Sequence, residues 1–162
     1  MSQRRRLVEW SDPAEIANAA RALSGLEFVQ KMRSGEIPAP PIALLVGQTM
    51  EEAEKGRVVM TLRPDEHLYN PIGAVHGGAI ATILDSVMGC AVHTCLPKGT
   101  AYTTLEIKVN YLRAATVASG AFRAEGRATH VGRRSAVAHG ELVDSRGKTI
   151  ATASTTCLVF EI

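Results

Sequence analysis

A histidine and two glycines stand at the start of a predicted helix, where part of the backbone is left uncovered. His76, Gly77 and Gly78 come directly before a long apolar pattern, and neither glycine has a side chain to cover its N–H group. The first N–H groups of a helix have no partner within the helix, and they lie at the positive end of its dipole. This entrance could therefore hold an anion, or an oxygen that becomes negative during a reaction.

One acid, Asp85, stands inside the same predicted helix. It falls outside the main apolar stripe, on a second stripe with Ala81 and Gly89, whose small side chains would let a backbone or a ligand come close. An isolated carboxylate in such a position is either a solvated surface group or a group that takes part in chemistry. Helical periodicity alone does not decide between the two.

The element that must position these groups is a long amphipathic helix. Pro71 and Gly73 predict a sharp turn before it, and the segment 97–99 predicts its end. Its apolar residues recur at spacings of three and four, as expected for one buried helix face. They are Ile80, Ile83, Leu84, Val87, Met88, Ala91, Val92 and Cys95.

Residues 1–40 are predicted to form an N-terminal helical extension that packs on, or flanks, the main domain. Asp12 followed by Pro13 is a helix-start signal, and a second capping signal occurs at Ser24. The second helix is predicted to stop at Gly35, because glycine readily adopts the left-handed conformation that ends a helix. The sequence does not indicate what this extension does.

Residues 41–162 carry the alternating pattern of β-strands on both sides of the long helix. A first strand is predicted from Ile42 to Gln48, with a continuation towards residue 53, and 57–62 is its hairpin partner across a polar turn. Four further strands are predicted at 104–112, 119–130, 134–144 and 148–160. With only one long helix beside them, the sequence predicts an α+β domain in which an antiparallel sheet wraps around a central α-helix.

The composition is that of an ordinary soluble globular protein. The chain has 162 residues, of which 46% are apolar and 21% charged, enough for one domain with a sizeable core. A net charge of +2 gives no reason to expect binding to nucleic acid or to a membrane. Cys90, Cys95 and Cys157 show no metal-ligand spacing, so free thiols in a cytoplasmic protein without a metal site are expected.

The order of Asn70, His76, Gly77, Gly78 and Asp85 resembles that of hotdog-fold acyl-CoA thioesterases of the phenylacetate-pathway type. Two later stretches, 109–113 and 130–134, resemble that family's central strand and a turn near its coenzyme A site. The resemblance covers about residues 40 to 160. It implies hydrolysis of an acyl-CoA thioester by a homodimer or a dimer of dimers. Coenzyme A is then part of the substrate, and no cofactor is expected.

Thioester hydrolysis needs a polarised carbonyl and an attacking group. The backbone N–H of Gly77 suits the first need, and Asp85 suits the second, either as a general base on water or as a direct nucleophile. Asn70 would orient the water or contact the thioester, or would simply cap a turn. His76 would bind substrate or brace the loop. Thr104 would support the acid, although threonine is also a common strand residue.

The resemblance also implies a set of residues that bind coenzyme A. These are Gly78, Arg113, Gly132, Arg133 and Arg134, with the arginines pairing with phosphates. The alternative is that the arginines are solvated charges on a strand end and a turn.

Gly77 and Asp85 are too far apart on one helix to act on the same carbonyl. Eight residues at about 1.5 Å each separate them by roughly 12 Å. We therefore expect a shared site, with Gly77, His76 and Asn70 from one subunit and Asp85 from the other, as the resemblance also implies. The alternatives are an acyl-CoA-binding sensor without activity and a hotdog hydratase-like enzyme that acts on enoyl-CoA.

Overall fold

One antiparallel sheet of six strands surrounds one long helix, as the sequence predicted. The structure, a computed structural model, describes residues 3–162, so the first two residues of the predicted extension lie outside the described part. The sheet order is β1-β2-β4-β5-β6-β3, and every neighbouring pair is antiparallel. The strands are β1 (Gln48–Glu54), β2 (Arg57–Leu62), β3 (Thr100–Tyr111), β4 (Phe122–Val131), β5 (Ser135–Val143) and β6 (Thr149–Glu161). This is the α+β architecture of the hotdog fold.

The central helix, α4 (Gly77–His93), contacts all six strands. Its predicted apolar stripe is buried at 3% exposure or less from Ile80 to Val92, whereas Cys95 lies beyond the end of the helix and is only partly buried. Strand β4 approaches the helix most closely at Gly126, where an added Cβ would lie 2.7 Å from the backbone nitrogen of Met88. The backbone of β4 is therefore in direct contact with the backbone of α4. This contact fixes the directions in which the polar residues of the helix point.

The N-terminal part forms three helices: α1 (Pro13–Ala22), α2 (Gly25–Ser34) and α3 (Pro41–Val46). The start signals of the first two are confirmed: Asp12 accepts a hydrogen bond from Ala14 N at 2.9 Å, and Ser24 forms a capping box with Glu27. Gly35 ends α2 in the left-handed conformation. Phe28 and Val29 of α2 are buried in the same core as α4, so this helix is packed into the domain.

The predicted strand from Ile42 to Gln48 is wrong. These residues form α3, and the strand begins only at Gln48. The helix has proline at its first position and ends at Gly47, which has a φ of 78°. Proline at the first turn and a left-handed glycine after the last are the helix-boundary signals that the apolar run concealed.

The acidic segment after α3 is strand rather than turn. Glu51, Glu52 and Glu54 belong to β1, and the hairpin turn is only the pair Lys55 and Gly56. As β1 lies at one edge of the sheet, its charged side chains can point to solvent and discourage pairing with other strands. Two 3₁₀ turns complete the chain, Glu66–Leu68 before α4 and Val117–Ser119 after β3. None of the helices within residues 3–162 has the length and apolar character to span a membrane.

His93, at the end of α4, gives a prediction about stability and pH. Its ring lies against the rings of Phe28 and Tyr102, and neither ring nitrogen has a hydrogen-bond partner among residues 3–162. Burial lowers the pKa of His93 from its ordinary value of 6.5. Below about pH 6.5 the unfolded chain therefore takes up a proton that the folded chain does not, so the free energy of unfolding should decrease as the pH falls.

Urea unfolding from about pH 7.5 down to about pH 5 measures this effect. The wild type should lose stability over this range. The His93→Phe variant should lose less, because phenylalanine cannot take up a proton. His139→Gln, which changes an exposed histidine of β5, should behave as the wild type does. A His93→Phe variant with the wild-type pH dependence would contradict the prediction.

Candidate active site

The loop before α4 is held in shape by the side chain of Asn70. Its Oδ1 accepts hydrogen bonds from the backbone N–H groups of Ile72 and Ala74, both at 3.1 Å. The backbone of Asn70 also pairs with Ala74, at 2.8 Å. The turn-capping interpretation of Asn70 is thus realised, while its Nδ2 group donates to nothing among residues 3–162 and remains available to a ligand.

His76 caps α4 and thereby fixes its own tautomer. Its Nδ1 accepts a hydrogen bond from Gly78 N–H at 2.8 Å, so in the neutral ring the proton is on Nε2. The N–H of Gly78 is occupied by this bond. The N–H of Gly77 has no acceptor within residues 3–162, which leaves it as the free donor of the glycine pair at the helix start.

Tyr111, which the sequence analysis did not single out, packs against Gly77. Its hydroxyl donates a hydrogen bond to the carbonyl of Gly77 at 2.9 Å. A Cβ added at Gly77 would lie 3.2 Å from the tyrosine ring, so the ring packs where a side chain would be. The end of β3 therefore covers the start of α4. No pattern in the sequence pairs these two positions, which are far apart in the chain.

Asp85 is half-buried and held by the strand beside it. The hydroxyl of Thr104 donates to Asp85 Oδ1 at 2.9 Å, and Oδ2 accepts no hydrogen bond from residues 3–162. The predicted neighbourhood of Thr104 and the acid is present in the structure. The carboxylate is thus oriented by one hydrogen bond and keeps one oxygen free for a substrate or a water molecule.

A cavity of about 460 Å³ opens beside Asp85. Asp85 is the only carboxylate in its lining among residues 3–162, and Cys90 and Tyr102 lie beside it. Burial, reinforced by the charge of Asp85, raises the pKa of Cys90 to about 12 and raises that of Tyr102 well above its ordinary value. Both groups are therefore neutral near pH 7, and the reactive group in this cavity is the carboxylate.

Four of the five residues expected to bind coenzyme A lie at two opposite ends of the sheet, and the fifth, Gly78, is on α4. Arg113 follows the end of β3, whereas Arg133 and Arg134 are on the turn between β4 and β5, near Thr100 at the opposite end of that strand. Strand β3 has 12 residues, so its two ends are about 36 Å apart. Gly132 and Arg133 line a second cavity, of about 450 Å³. None of these arginines forms an ion pair with residues 3–162.

No set of three or more histidine, cysteine, aspartate or glutamate side chains in the described part of the chain could hold a metal ion. The groups that can do chemistry are a free backbone N–H at the start of α4 and a carboxylate at the middle of this helix. A sheet wrapped around such a helix is the arrangement of the hotdog-fold thioesterases.

The model of the thioesterase superfamily matches residues 72–151, which include both groups. The chain belongs to this family of thioester hydrolases.

Solved structures give the same result. A phenylacetic acid degradation-related protein of Ralstonia eutropha JMP134 is 30% identical, with a TM-score of 0.73 over 80% of this chain and 97% of that one. The smu.793 protein of Streptococcus mutans UA159, solved with acetyl CoA bound, is 28% identical, with a TM-score of 0.64 over 69% and 87%. In both cases the similarity extends over most of the length of the solved protein.

Relatives identified by sequence match over shorter stretches. The 1,4-dihydroxy-2-naphthoyl-CoA hydrolase of Escherichia coli K12 is 27% identical over 99 residues, which are 61% of this chain and 71% of that protein. The chain spans about half the length of several other curated relatives that it matches. These matches agree with the thioesterase family.

Proposed function

We propose that the chain hydrolyses acyl-CoA thioesters to a free acid and coenzyme A, in sites shared by two subunits. The observation that carries the proposal is the carboxylate of Asp85, held by Thr104 with one oxygen free on the wall of a cavity. The bound acetyl CoA of the Streptococcus mutans relative supports an acyl-CoA as the substrate.

The free donor and the carboxylate cannot serve one thioester from a single chain. Gly77 and Asp85 lie about 12 Å apart along the helix axis, whereas a carbonyl bound to the Gly77 N–H would lie about 3 Å from it. The contacts of β3 suggest how a second copy supplies the missing group. Thr104 near one end of β3 touches Asp85, and Tyr111 at the other end touches Gly77.

Strand β3 is the other edge of the sheet, and no strand within residues 3–162 pairs with its outer side. If two copies paired antiparallel along this edge, the Thr104 end of one strand would meet the Tyr111 end of the other. A two-fold axis at Ile107 would also set Glu106 of each strand opposite Lys108 of its partner, and opposite charges across a strand pair are favourable. Such a pairing would bring Asp85 towards the partner's entrance.

The same pairing would unite the residues expected to bind coenzyme A. Arg113 of one subunit would approach the turn that carries Arg133 and Arg134 of the other, because these groups lie at opposite ends of β3. Three guanidinium groups without ion pairs would then face one site and could bind the nucleotide phosphates. Gly132, between the strand end and these arginines, would let the ligand approach the backbone.

Each group then has a defined task in the reaction. The Gly77 N–H donates to the thioester oxygen as negative charge develops on it, an interaction worth roughly 3–4 kcal/mol in other acyl-transfer enzymes. Asp85 takes a proton from an attacking water, or attacks the carbonyl itself to form an anhydride that water then hydrolyses to the free acid. Thr104 keeps the carboxylate oriented. The Nε2–H group of His76 and the Nδ2 group of Asn70 orient the attacking water or bind the thioester. The thiolate of coenzyme A is a good leaving group, so it can depart without a strong general acid to protonate it.

Release of free thiol from a panel of acyl-CoA thioesters tests the proposal. The panel runs from short straight chains to phenylacetyl and hydroxybenzoyl groups, and light scattering on the same sample measures the oligomeric state. We expect thiol release from at least one member and a dimer, or a dimer of dimers. Binding without release of thiol would indicate a sensor, and consumption of an enoyl-CoA without release of thiol would indicate a hydratase.

A further inference from the structure

The stripe of small residues on α4 leaves room for a tyrosine of the neighbouring strand. Gly89 is buried and lies one turn after Asp85, on the same face of the helix. A Cβ added to Gly89 would lie 2.3 Å from the hydroxyl oxygen of Tyr102, so the tyrosine occupies the place of a side chain. The glycine therefore allows this hydroxyl to lie against the helix face that carries the acid.

Tyr102 is held in place by its neighbours and by strand β3. Its ring packs against the ring of His93, with the two centroids 5.6 Å apart. Tyr102 and Thr104 are two positions apart, so both lie on the face of β3 that covers α4, whereas Thr103 between them is exposed. The strand that orients the carboxylate of Asp85 thus also places a second hydroxyl beside the helix.

The hydroxyl of Tyr102 is open to the cavity of about 460 Å³ that this residue lines. It forms no hydrogen bond with residues 3–162, yet the fully buried side-chain atoms without a partner in that range belong only to Gln48 and His93. The hydroxyl of Ser86, which also lines the cavity, already donates to the carbonyl of Thr82 at 2.8 Å. Tyr102 therefore presents a free and accessible donor to the contents of the cavity.

A water molecule fits between this donor and the carboxylate. Asp85 Oδ2 accepts no hydrogen bond from residues 3–162, and an ionised carboxylate can only accept. The four-residue step from Asp85 to Gly89 rises by about 6 Å, the span that one water covers with two hydrogen bonds of about 2.8 Å each. An ordered water needs at least two polar partners, and most of the cavity lining is apolar. The tyrosine hydroxyl supplies the second partner that the carboxylate alone lacks.

We propose that Tyr102 holds the attacking water against Asp85 and is a further catalytic residue of the shared site. This inference rests on the proposed function. The water donates one hydrogen bond to Asp85 and accepts one from Tyr102, which leaves a lone pair of its oxygen free to attack the thioester carbon.

The proton and electron balance follows from this arrangement. Asp85 takes a proton from the water as the new C–O bond forms, and the C–S bond then breaks with its electron pair on sulfur. Tyr102 keeps its own proton, because burial raises its pKa well above the ordinary value. If Asp85 attacks the thioester first, the same water hydrolyses the anhydride, so the role of Tyr102 is the same on both routes.

Replacing Tyr102 by phenylalanine removes the hydroxyl and keeps the ring over Gly89 and against His93. On the best acyl-CoA substrate, kcat should fall by about tenfold or more and KM should change by less than about threefold, because the hydroxyl contacts the water and not the substrate. Tyr69→Phe is the matched control: its hydroxyl accepts a hydrogen bond from the Val117 N–H at 2.8 Å and lies outside the cavity lining, so kcat should not change. An unchanged kcat in Tyr102→Phe would overturn the inference.

Competition between water and methanol shows whether the hydroxyl acts on the water. With methanol added, attack by water yields the acid and attack by methanol yields the methyl ester, and mass spectrometry measures their ratio. Tyr102→Phe removes a partner of the water and leaves an apolar space that admits the methyl group, so the ratio of ester to acid should rise by about threefold or more. This ratio does not depend on how much of the variant is folded. A lowered kcat with an unchanged ratio would overturn the inference, because a donor to the thioester oxygen would promote both reactions equally.

The inference and the proposed function fail in different ways. A wild type that releases no thiol from any acyl-CoA would overturn the proposed function and the inference with it. Thiol release by the wild type, matched by Tyr102→Phe in both kcat and product ratio, would overturn the inference alone.

Discussion

Replacing Asp85 by asparagine should lower kcat/KM for the best acyl-CoA substrate by about a hundredfold or more, the scale for losing a positioned base. Asparagine keeps the shape of the side chain and an oxygen that can accept the hydrogen bond of Thr104. It cannot take a proton from water or attack a carbonyl. A hundredfold loss corresponds to about 2.7 kcal/mol of transition-state stabilisation.

The chain offers a matched control for this substitution. Glu141 is a carboxylate that accepts a hydrogen bond from a threonine, Thr149, at 2.8 Å, as Asp85 does from Thr104, but it lies outside the cavity. Glu141→Gln should therefore hydrolyse at the wild-type rate. Binding of the acyl-CoA to Asp85→Asn, measured by calorimetry, should persist, which would locate the loss in the chemical step. Near-wild-type thiol release by Asp85→Asn would rule out the proposed role of the acid.

The sequence predicts the central helix well because local signals agree there. The glycine pair and the apolar stripe both indicate that a helix starts after this turn, and α4 begins at Gly77. The period-two strands after it are also local patterns, and each of these four strands is found within a few residues of its predicted bounds. The neighbourhood of Thr104 and Asp85 follows once the sheet is known to wrap the helix.

The errors occur where the pattern is short or its meaning depends on distant residues. The apolar run from Ile42 to Val46 is compatible with a strand or a helix. The proline before it and the glycine after it are the signals that favour the helix. Glutamates in β1 resemble a turn because an edge strand can be charged on its open side. The contact between Tyr111 and Gly77 is not visible in the sequence, because the two residues are 34 positions apart.

A stricter test of the shared site uses a substitution that removes one backbone N–H and little else. Gly77→Pro deletes the proposed donor at the first position of α4, where proline is well tolerated because that N–H has no helical partner. The preceding residue, His76, already has the extended conformation that proline requires, with a ψ of 136°. Gly77→Ala is the matched control: it brings a side chain against Tyr111 but keeps the donor.

Gly77→Pro alone should lose about a hundredfold to a thousandfold in kcat, as other enzymes do when an oxyanion donor is removed, and Gly77→Ala should lose far less. Mixed with Asp85→Asn and allowed to exchange subunits, it should regain activity. Half of the dimers are then mixed, and each holds one site with both groups intact, so about a quarter of all sites recover. If each chain formed its own site, every site in a mixed dimer would carry one defect and no activity would return. Mixing Asp85→Asn with Thr104→Val is the negative control, because both residues would belong to the same half of the site. Each site of a mixed dimer would then carry one of the two changes, so no activity should return.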